Sequence, residues 1–217
     1  MPARVDPHAA PGTSGRVLRN ALRYDLLLWL ITFGKERRFR EQVLDLVALV
    51  PGESVLDVGC GTGTMAIAAK RRVGKSGCIY GVDASLEMIT WADRKARKAR
   101  VDVTFKNGLA EALPFPDARF DVVLSTIMLH HFPSKARRQA VDEMRRVLKP
   151  GGRILVVDFE GDAEQNTKHL FKTFHRRRHG HVKARDVVEI IGEAGFNIVD
   201  SGAVGIGDLH FTIATAR

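Results

Sequence analysis

Residues 59–63 form a loop with glycine at every second position, directly after an apolar run that contains Asp57. Glycine allows a tight bend and a close approach of the backbone to a ligand, so the loop is a candidate binding site. With Ala66 the loop also satisfies a dinucleotide fingerprint, and Asp83 follows about 20 residues later, where such sites carry an acid. Asp57 favours a different ligand, because an acid at the strand end would repel a pyrophosphate and attract an ammonium group.

Two adjacent histidines, His130 and His131, follow a strand-like run at 120–125. In an open α/β sheet the substrate lies over the carboxyl ends of the strands, which is where this pair would lie. An imidazole there can take a proton from a hydroxyl, carbon acid or ammonium nucleophile, so both are candidate catalytic residues. The alternative is that they cap or pack beneath the next helix. Further candidate histidines are His169, His175, His179, His181 and His210.

Strand and helix signals alternate along the chain, which predicts an α/β fold with a doubly wound sheet and helices on both faces. Five short apolar runs predict buried parallel strands, at 54–58, 78–82, 101–106, 120–125 and 154–159. The intervening helices are predicted at 64–73, 85–100 and 134–148. Two more helices are expected before the sheet, at 17–33 and 36–49, and one after it at 184–194, followed by an antiparallel hairpin at 196–204 and 209–216.

The composition indicates one globular domain. The chain has 217 residues, of which 45% are hydrophobic, a formal net charge of +9 and two cysteines. This apolar content excludes a disordered chain, and two cysteines exclude a disulfide scaffold, so a reducing cytoplasm is expected. Cys60 and Cys78 are predicted to be small buried residues, and without a Cys/His ligand spacing no metal site is expected. We expect a flexible tail at 1–16 and a single domain at 17–217.

Further motifs complete the pattern in a specific order: VLDVGCGTG at 55–63, GVDAS at 81–85, LPFPDARFDVV at 113–123, LHHF at 129–132 and RVLKPGG at 146–152. With them, the chain resembles the class I S-adenosylmethionine-dependent methyltransferases, and among these the ubiquinone and menaquinone C-methyltransferases. The resemblance implies a Rossmann-like, seven-stranded sheet, mostly parallel with an antiparallel last strand. It also implies S-adenosylmethionine as the cofactor and S-adenosylhomocysteine as the product.

The resemblance also implies which residues hold the cofactor. Asp57 and the loop backbone would bind its methionine part, and Asp83, with Ala84 beside it, would bind the ribose hydroxyls. Leu109 stands where the family usually has an Asp, so one hydrogen bond to the adenine amino group is expected to be absent. The full set of implied contacts is Tyr24, Asp57, Gly59, Cys60, Gly61, Gly63, Asp83, Ala84, Met88, Leu109, Ala110 and Ser125.

The expected acceptor is a small apolar or amphipathic molecule: quinone-like, a lipid or another small metabolite. The helices at 17–50 and the basic segment at 160–183 are expected to enclose it, and that segment departs from the quinone enzymes. A similarity to bacterial phospholipid N-methyltransferases leaves a phospholipid amine, and peripheral membrane contact, as an alternative. Nucleic acid is disfavoured because no appended binding domain is present. A non-catalytic cofactor-binding subunit and a nicotinamide oxidoreductase also stay open, and the sequence indicates no oligomeric state.

Overall fold

The computed structural model describes Gly15, residues 36–159 and residues 184–217. Its strands are β1 (Ser54–Val58), β2 (Cys78–Asp83), β3 (Thr104–Asn107), β4 (Phe120–Thr126), β5 (Leu148–Phe159), β6 (Phe196–Ala203) and β7 (Leu209–Ala216). They form one seven-stranded sheet in the order β3-β2-β1-β4-β5-β7-β6. Strands β1 to β5 pair in parallel, whereas β7 runs antiparallel to β5 and β6. This arrangement confirms the expected fold class and the terminal hairpin.

Five helices accompany the sheet in the described residues: α1 (Glu36–Val47), α2 (Thr64–Val73), α3 (Leu86–Ala99), α4 (Ser134–Val147) and α5 (Ala184–Glu193). Because successive side chains of a strand point to opposite faces, each buried strand contributes to two cores. Val55 of β1 packs in the core that contains α1 and α2 residues. Leu56 and Val58 pack in the core that contains α4 and α5 residues. The sheet is therefore covered on both faces, as its continuous apolar strands require.

The third helix shows how local sequence sets the boundaries of an element. The Ser85 hydroxyl accepts a hydrogen bond from the Met88 N–H at 3.4 Å and so caps the amino end. At the carboxyl end, Arg100 takes a left-handed conformation with φ of +55°, and its N–H donates to the carbonyls of Ala96 and Arg97. The predicted helix at 85–100 is thus confirmed, with both predicted terminal residues acting as caps.

Two strands differ from the prediction. Strand β3 is not buried, because it lies at one edge of the sheet and three of its four residues are exposed. Strand β5 begins at Leu148 rather than at residue 154. Leu148 belongs to the strand because it pairs with Phe120 of β4, and the next pair along β4 is Val122 with Arg153. The residues of β5 between these two pairs form an irregularity of the bulge type.

One prediction about the cysteines is wrong. Cys60 is buried in the loop after β1, but Cys78 at the start of β2 is exposed. Cys78 comes directly after a turn in which Lys75 and Ser76 are also exposed, so its side chain faces solvent with them. The expected helix at 17–33, the acceptor segment at 160–183 and the tail at 1–16 lie outside the described residues, apart from Gly15. Among the helices that are described, none is both long and apolar enough to span a bilayer.

Candidate functional site

The predicted site residues collect at the carboxyl ends of the parallel strands. Asp57 lies in β1, Asp83 ends β2 and Ser125 lies near the end of β4. A short 3₁₀ turn after β4 carries His130 and His131. Since these strands are neighbours in a parallel arrangement, the groups share one edge of the sheet, which is where open α/β sheets bind their ligands.

The glycine loop between β1 and α2 has backbone angles that favour glycine. Gly59, Gly61 and Gly63 have φ values of +73°, +51° and +76°. A Cβ on Gly63 would lie 2.7 Å from the Phe105 ring and 2.8 Å from the Ala92 Cβ, so a larger residue would also clash. The alternating glycines therefore keep the loop compact and its backbone accessible to a ligand.

Hydrogen bonds from β2 fix the shape of this loop. The N–H groups of Gly59 and Cys60 both donate to the Val82 carbonyl, at 2.8 and 3.0 Å. The Gly61 N–H donates to Asp83 Oδ2 at 2.9 Å. Asp83 thus ties the loop to the neighbouring strand, a role that sequence reasoning did not assign to it.

Asp57 is the most unusual charged group of the site. Its side chain is buried, and its Oδ2 atom has no hydrogen-bond partner among the described residues. Burial raises the pKa of this carboxyl from its ordinary 3.8 to about 7, and the charge of Asp83 adds to the rise, against a lowering by the Ala66 N–H. An unpaired buried carboxylate is costly, so the site fits a ligand that brings a positive charge to it.

Asp83 retains the capacity to bind a ligand while holding the loop. Its Oδ1 atom accepts the Ser85 N–H at 2.8 Å, and its Oδ2 atom accepts the Gly61 N–H. Burial raises the pKa of Asp83, and these two N–H groups oppose the rise. Each carboxylate oxygen has two lone pairs, so adjacent ribose hydroxyls can still donate to it. Asp83 can therefore accept the Ser85 and Gly61 N–H groups and bind a ribose at the same time. The ribose contact itself stays a prediction.

The raised pKa of Asp57 predicts that the free energy of unfolding decreases as the pH rises, which is the opposite of the usual effect of a carboxyl group. Between about pH 4 and pH 7 the folded protein holds a proton that the unfolded chain has released, so stability falls as the pH rises through this range. A shift from 3.8 to about 7 corresponds to about 4 kcal/mol at the upper end. We expect Asp57→Asn to stabilise the cofactor-free protein at about pH 8 and to have little effect at about pH 4. Urea unfolding at the two pH values measures the difference.

Asp121 offers a matched control for this experiment. Burial raises its pKa, but a hydrogen bond from Lys149 and another from the Ser54 N–H outweigh burial and leave the pKa below its ordinary value. Its contribution to stability is therefore present at neutral pH and lost on acidification. Asp121→Asn should destabilise the protein at neutral pH, opposite in sign to Asp57→Asn. Equal signs for the two variants would contradict the assignment of Asp57.

The adenine side of the expected site is apolar. Met88 is fully buried at the start of α3, Ala110 is buried and Leu109 is half-buried. Leu109 pairs with Ala112 in an isolated antiparallel bridge, which fixes the backbone after β3. A leucine side chain cannot accept a hydrogen bond, so only backbone groups remain for the adenine edge at this position. Contacts of Met88, Leu109 and Ala110 with adenine, like that of Ala84 with the ribose, remain predictions.

Ser125 and Cys60 border the methionine end of the expected site. The Ser125 hydroxyl oxygen is buried and has no hydrogen-bond partner within the described part of the chain. Burial raises the pKa of the Cys60 thiol well above its ordinary value, and the charges of Asp83 and Asp57 add to this. A thiol in this state is not a nucleophile. Both residues are therefore suited to ligand contact rather than to covalent chemistry.

His130 forms a close pair with an acid that the sequence analysis missed. Its ring Nδ1 lies 2.7 Å from Asp158 Oδ1, and its backbone N–H donates to Asp158 Oδ2 at 3.0 Å. Burial raises the pKa of Asp158, but the neighbouring His130 and the N–H groups of Phe159 and His130 outweigh it and hold the pKa below its ordinary value. An ionised carboxylate only accepts, so Nδ1 is the donor in this contact. Whenever the ring is uncharged, its lone pair is then on Nε2.

The second histidine packs against the first. The ring centroids of His130 and His131 are 3.9 Å apart, and the Phe159 ring meets His130 edge-on at 5.1 Å. The structure thus brings both predicted histidines to the same end of the sheet as Asp57. A sequence signal for Asp158 does exist, since it lies at or next to the end of an apolar strand, as Asp57 and Asp83 do. Tyr24 lies outside the described residues.

The donor set fits the implied cofactor. S-adenosylmethionine carries an ammonium group, which matches the unpaired carboxylate oxygen of Asp57, and ribose hydroxyls, which match Asp83. No group of three or more potential metal ligands occurs in residues 36–159 and 184–217. The loop, the two acids and Ser125 are chemically compatible with an amino-acid and ribose ligand, and their contacts with it remain predictions.

Comparisons with known proteins agree with this site. Residues 55–152 match a family described as a methyltransferase domain. The chain is 37% identical over 139 residues to a demethylmenaquinone methyltransferase of Thermus thermophilus, covering 64% of this chain and 62% of that relative. It is 34% identical over 159 residues to a ubiquinone/menaquinone biosynthesis C-methyltransferase of Geobacter sulfurreducens, covering 72% and 61%. The chain thus spans less than two thirds of the length of these relatives.

Solved structures show the same fold. A SAM dependent methyltransferase from Aquifex aeolicus matches with a TM-score of 0.74 and 22% identity, over 92% of this chain and 100% of that one. The family and the fold together imply S-adenosylmethionine as the cofactor, in agreement with the charges at Asp57 and Asp83. Residues 55–152 of the chain therefore match a methyltransferase domain, and the sheet around them has the fold of a SAM dependent methyltransferase.

Proposed function

We propose that this protein transfers a methyl group to a small, apolar or amphipathic acceptor and that His130 removes the acceptor's proton. The observation that carries the proposal is the position of the His130–Asp158 pair. Strand β1 with Asp57, strand β4 with the histidine turn and strand β5 with Asp158 are direct neighbours in the sheet. An acid suited to a cation and an oriented base therefore lie at one edge of the sheet, an arrangement that favours methyl transfer to a nucleophile that loses a proton.

The residues of the chain have separate roles in this reaction. When bound, S-adenosylmethionine supplies an electrophilic methyl group on a sulfonium. Asp57 holds the ligand's ammonium group and Asp83 its ribose, so together they fix the direction of the methyl carbon. Asp158 keeps the Nδ1 proton on His130, and Nε2 receives the proton that the acceptor releases as its bond to the methyl carbon forms. The His130 imidazolium that results is stabilised by the Asp158 carboxylate.

The names of the curated relatives favour a quinone-type acceptor. A hydroquinone carries ionisable hydroxyls on an apolar ring, which matches a histidine base beside the Phe159 ring. The enclosing elements were expected at 17–50 and 160–183, and of these residues 17–35 and 160–183 lie outside the described residues. The support for this acceptor therefore comes from the relatives and from the base. Cytoplasmic location, a single domain at 17–217 and peripheral contact with a membrane belong to the same proposal.

Calorimetric titration with S-adenosylhomocysteine, followed by a panel of acceptors, tests the function. The panel consists of a short-chain demethylmenaquinol, a soluble catechol, and vesicles with and without phosphatidylethanolamine, with mass analysis for one added methyl group. Methylation of the quinol or catechol supports the proposal, and methylation only of phosphatidylethanolamine would replace it with lipid amine transfer. Binding without any turnover would favour a non-catalytic cofactor-binding subunit. Binding of NAD in place of S-adenosylhomocysteine would overturn the family assignment.

A further inference from the structure

The turn that carries both histidines is too short to hold its own shape. It comprises Leu129–His131, and its internal bonds run from the His131 N–H to the Met128 carbonyl and from the Phe132 N–H to the Leu129 carbonyl, at 3.0 and 3.1 Å. Such 3₁₀ turns have poor hydrogen-bond geometry and depend on their surroundings.

The chain enters this turn through a strained residue. Ile127 has a φ of +55°, which a β-branched side chain rarely adopts, and its N–H donates to the Val157 carbonyl at 2.7 Å. Strain of this kind persists only where the surrounding structure enforces the conformation. Contacts from outside the turn must therefore stabilise the positions of the two histidines.

Arg137 supplies such contacts from the second turn of α4. Its side chain is buried, its Nε donates to the Leu129 carbonyl at 3.2 Å, and its Nη2 donates to the Phe132 carbonyl at 2.8 Å. The two carbonyls lie immediately before and immediately after the histidine pair in sequence. One planar guanidinium therefore bridges both ends of the turn, which a flexible ammonium could not do in the same geometry.

Burying the charged guanidinium of Arg137 costs free energy, which indicates that this side chain does more than fill space. Burial lowers the pKa of the Arg137 guanidinium, and the charges of Asp158 and Asp186 oppose that lowering. An apolar residue of similar volume is often as good or better for stability at a buried charged position. The next residue, Arg138, shows the more usual environment of an arginine: it is exposed and forms ion pairs with Asp142 and Glu193.

We propose that Arg137 is a positioning residue, which holds the Leu129–His131 turn so that His130 stays in register with Asp158. The inference rests on the proposed role of His130 as the base, but the arrangement itself can be tested without an acceptor. Arg137 contacts backbone carbonyls of the turn, and its charge also interacts with Asp158, so it acts on the reaction through the orientation and partner of His130.

The experiment follows the ring of His130 by nuclear magnetic resonance in protein labelled with isotopic histidine. Two-bond proton–nitrogen spectra distinguish the two neutral tautomers, and a His130→Gln variant assigns the signal. We expect the wild type to hold the proton on Nδ1 and Arg137→Gln to show an average of tautomers. The His130 signal of Arg137→Lys should lie between those of the wild type and Arg137→Gln, because lysine keeps the positive charge but lacks the planar guanidinium with its two donors. Arg138→Gln, the matched control, should leave the spectrum unchanged.

Two further readouts separate positioning from general damage. Affinity for S-adenosylhomocysteine should stay within about twofold in Arg137→Gln, because the hydrogen bonds of Arg137 go to the turn and its charge interactions to Asp158 and Asp186, not to Asp57 or Asp83. Turnover of the demethylmenaquinol probe should fall about tenfold to a hundredfold, since a small misplacement of a base costs rate rather than binding. An unchanged His130 tautomer in a folded Arg137→Gln protein would overturn the proposal.

If neither Arg137→Gln nor Arg137→Lys folds, the proposal can still be tested on the wild-type protein. Hydrogen exchange at the Arg137 Nε–H and at the amides of His131 and Phe132, each compared with the same group in an unstructured peptide, should then be slowed to a similar degree, because they belong to one hydrogen-bonded unit. Fast exchange at Arg137 Nε–H with slow amides would overturn the proposal. A fixed tautomer that Arg137→Gln disrupts, in a protein that methylates nothing in the panel, would support the positioning role and reject the proposed function alone.

Discussion

Replacing Asp57 by alanine or asparagine is expected to abolish detectable binding of S-adenosylhomocysteine. The Oδ2 atom of this buried carboxylate lacks a partner among the described residues and is assigned to the ligand's ammonium group. Removing one member of a buried ion pair costs about 3–5 kcal/mol. That corresponds to a rise of about two to four orders of magnitude in Kd, measured by calorimetry at a pH of about 8, where Asp57 is ionised.

A ligand that lacks the amino-acid part makes this test specific. Methylthioadenosine retains the ribose and adenine of S-adenosylhomocysteine but has neither its ammonium nor its carboxylate. The Asp57 variants should therefore bind methylthioadenosine as the wild type does. Asp83→Asn should weaken both ligands, because Asp83 is assigned to the ribose. If Asp57→Asn bound S-adenosylhomocysteine with unchanged affinity, the placement of the ammonium group would be wrong.

The second large effect is expected at the His130–Asp158 pair. His130→Gln should lower the rate of methyl transfer by about 10²–10⁴, the usual contribution of a positioned general base. Asp158→Asn should have a comparable effect although the base is still present. An asparagine can turn its amide N–H toward Nδ1, which moves the ring proton of His130 to Nε2. Nε2 then lacks the lone pair that is proposed to receive the proton of the methyl acceptor. Initial rates with the first acceptor that the wild type methylates measure both changes.

The binding data identify the cause of any loss of rate. Both variants should keep the wild-type affinity for S-adenosylhomocysteine, because His130 and Asp158 are not assigned to the cofactor. Asp121→Asn serves as a control, since Asp121 pairs with Lys149 and Ser54 at the opposite end of the sheet. A full rate in His130→Gln would show that alignment alone drives the reaction. A rate loss in Asp121→Asn as large as in Asp158→Asn would indicate damage to the fold instead.

The sequence was sufficient for the parts of the site that lie within one strand, loop and helix. Asp57 and the glycine loop occupy a continuous segment, so their spacing along the chain already determines their spacing in space. The same holds for the Ser85 cap and the boundaries of α3. The buried strands were predictable because apolar runs have few alternatives to burial. The exposed β3 was not, because its burial depends on its place at the sheet edge rather than on its composition.

Only the tertiary structure decided the partners of these groups. Asp158 and His130 are 28 residues apart and meet because β4 and β5 pair in a particular register. The raised pKa of Asp57 depends on burial and on Asp83, which belongs to another strand. The contact between Arg137 and the histidine turn follows from the packing of α4, and the sequence offers only an arginine beside another arginine.

The methyltransferase domain, the cofactor and the position of Asp57 beside the glycine loop could thus be predicted from local patterns, because a strand-loop-helix unit involves few distant residues. The choice of base was not local. Two neighbouring histidines look alike in the sequence, and what distinguishes them is an acid brought to His130 by strand pairing, with a buried arginine fixing the turn from the other side. Pairing and burial depend on the whole sheet, so only the folded structure separates the proposed base from its neighbour.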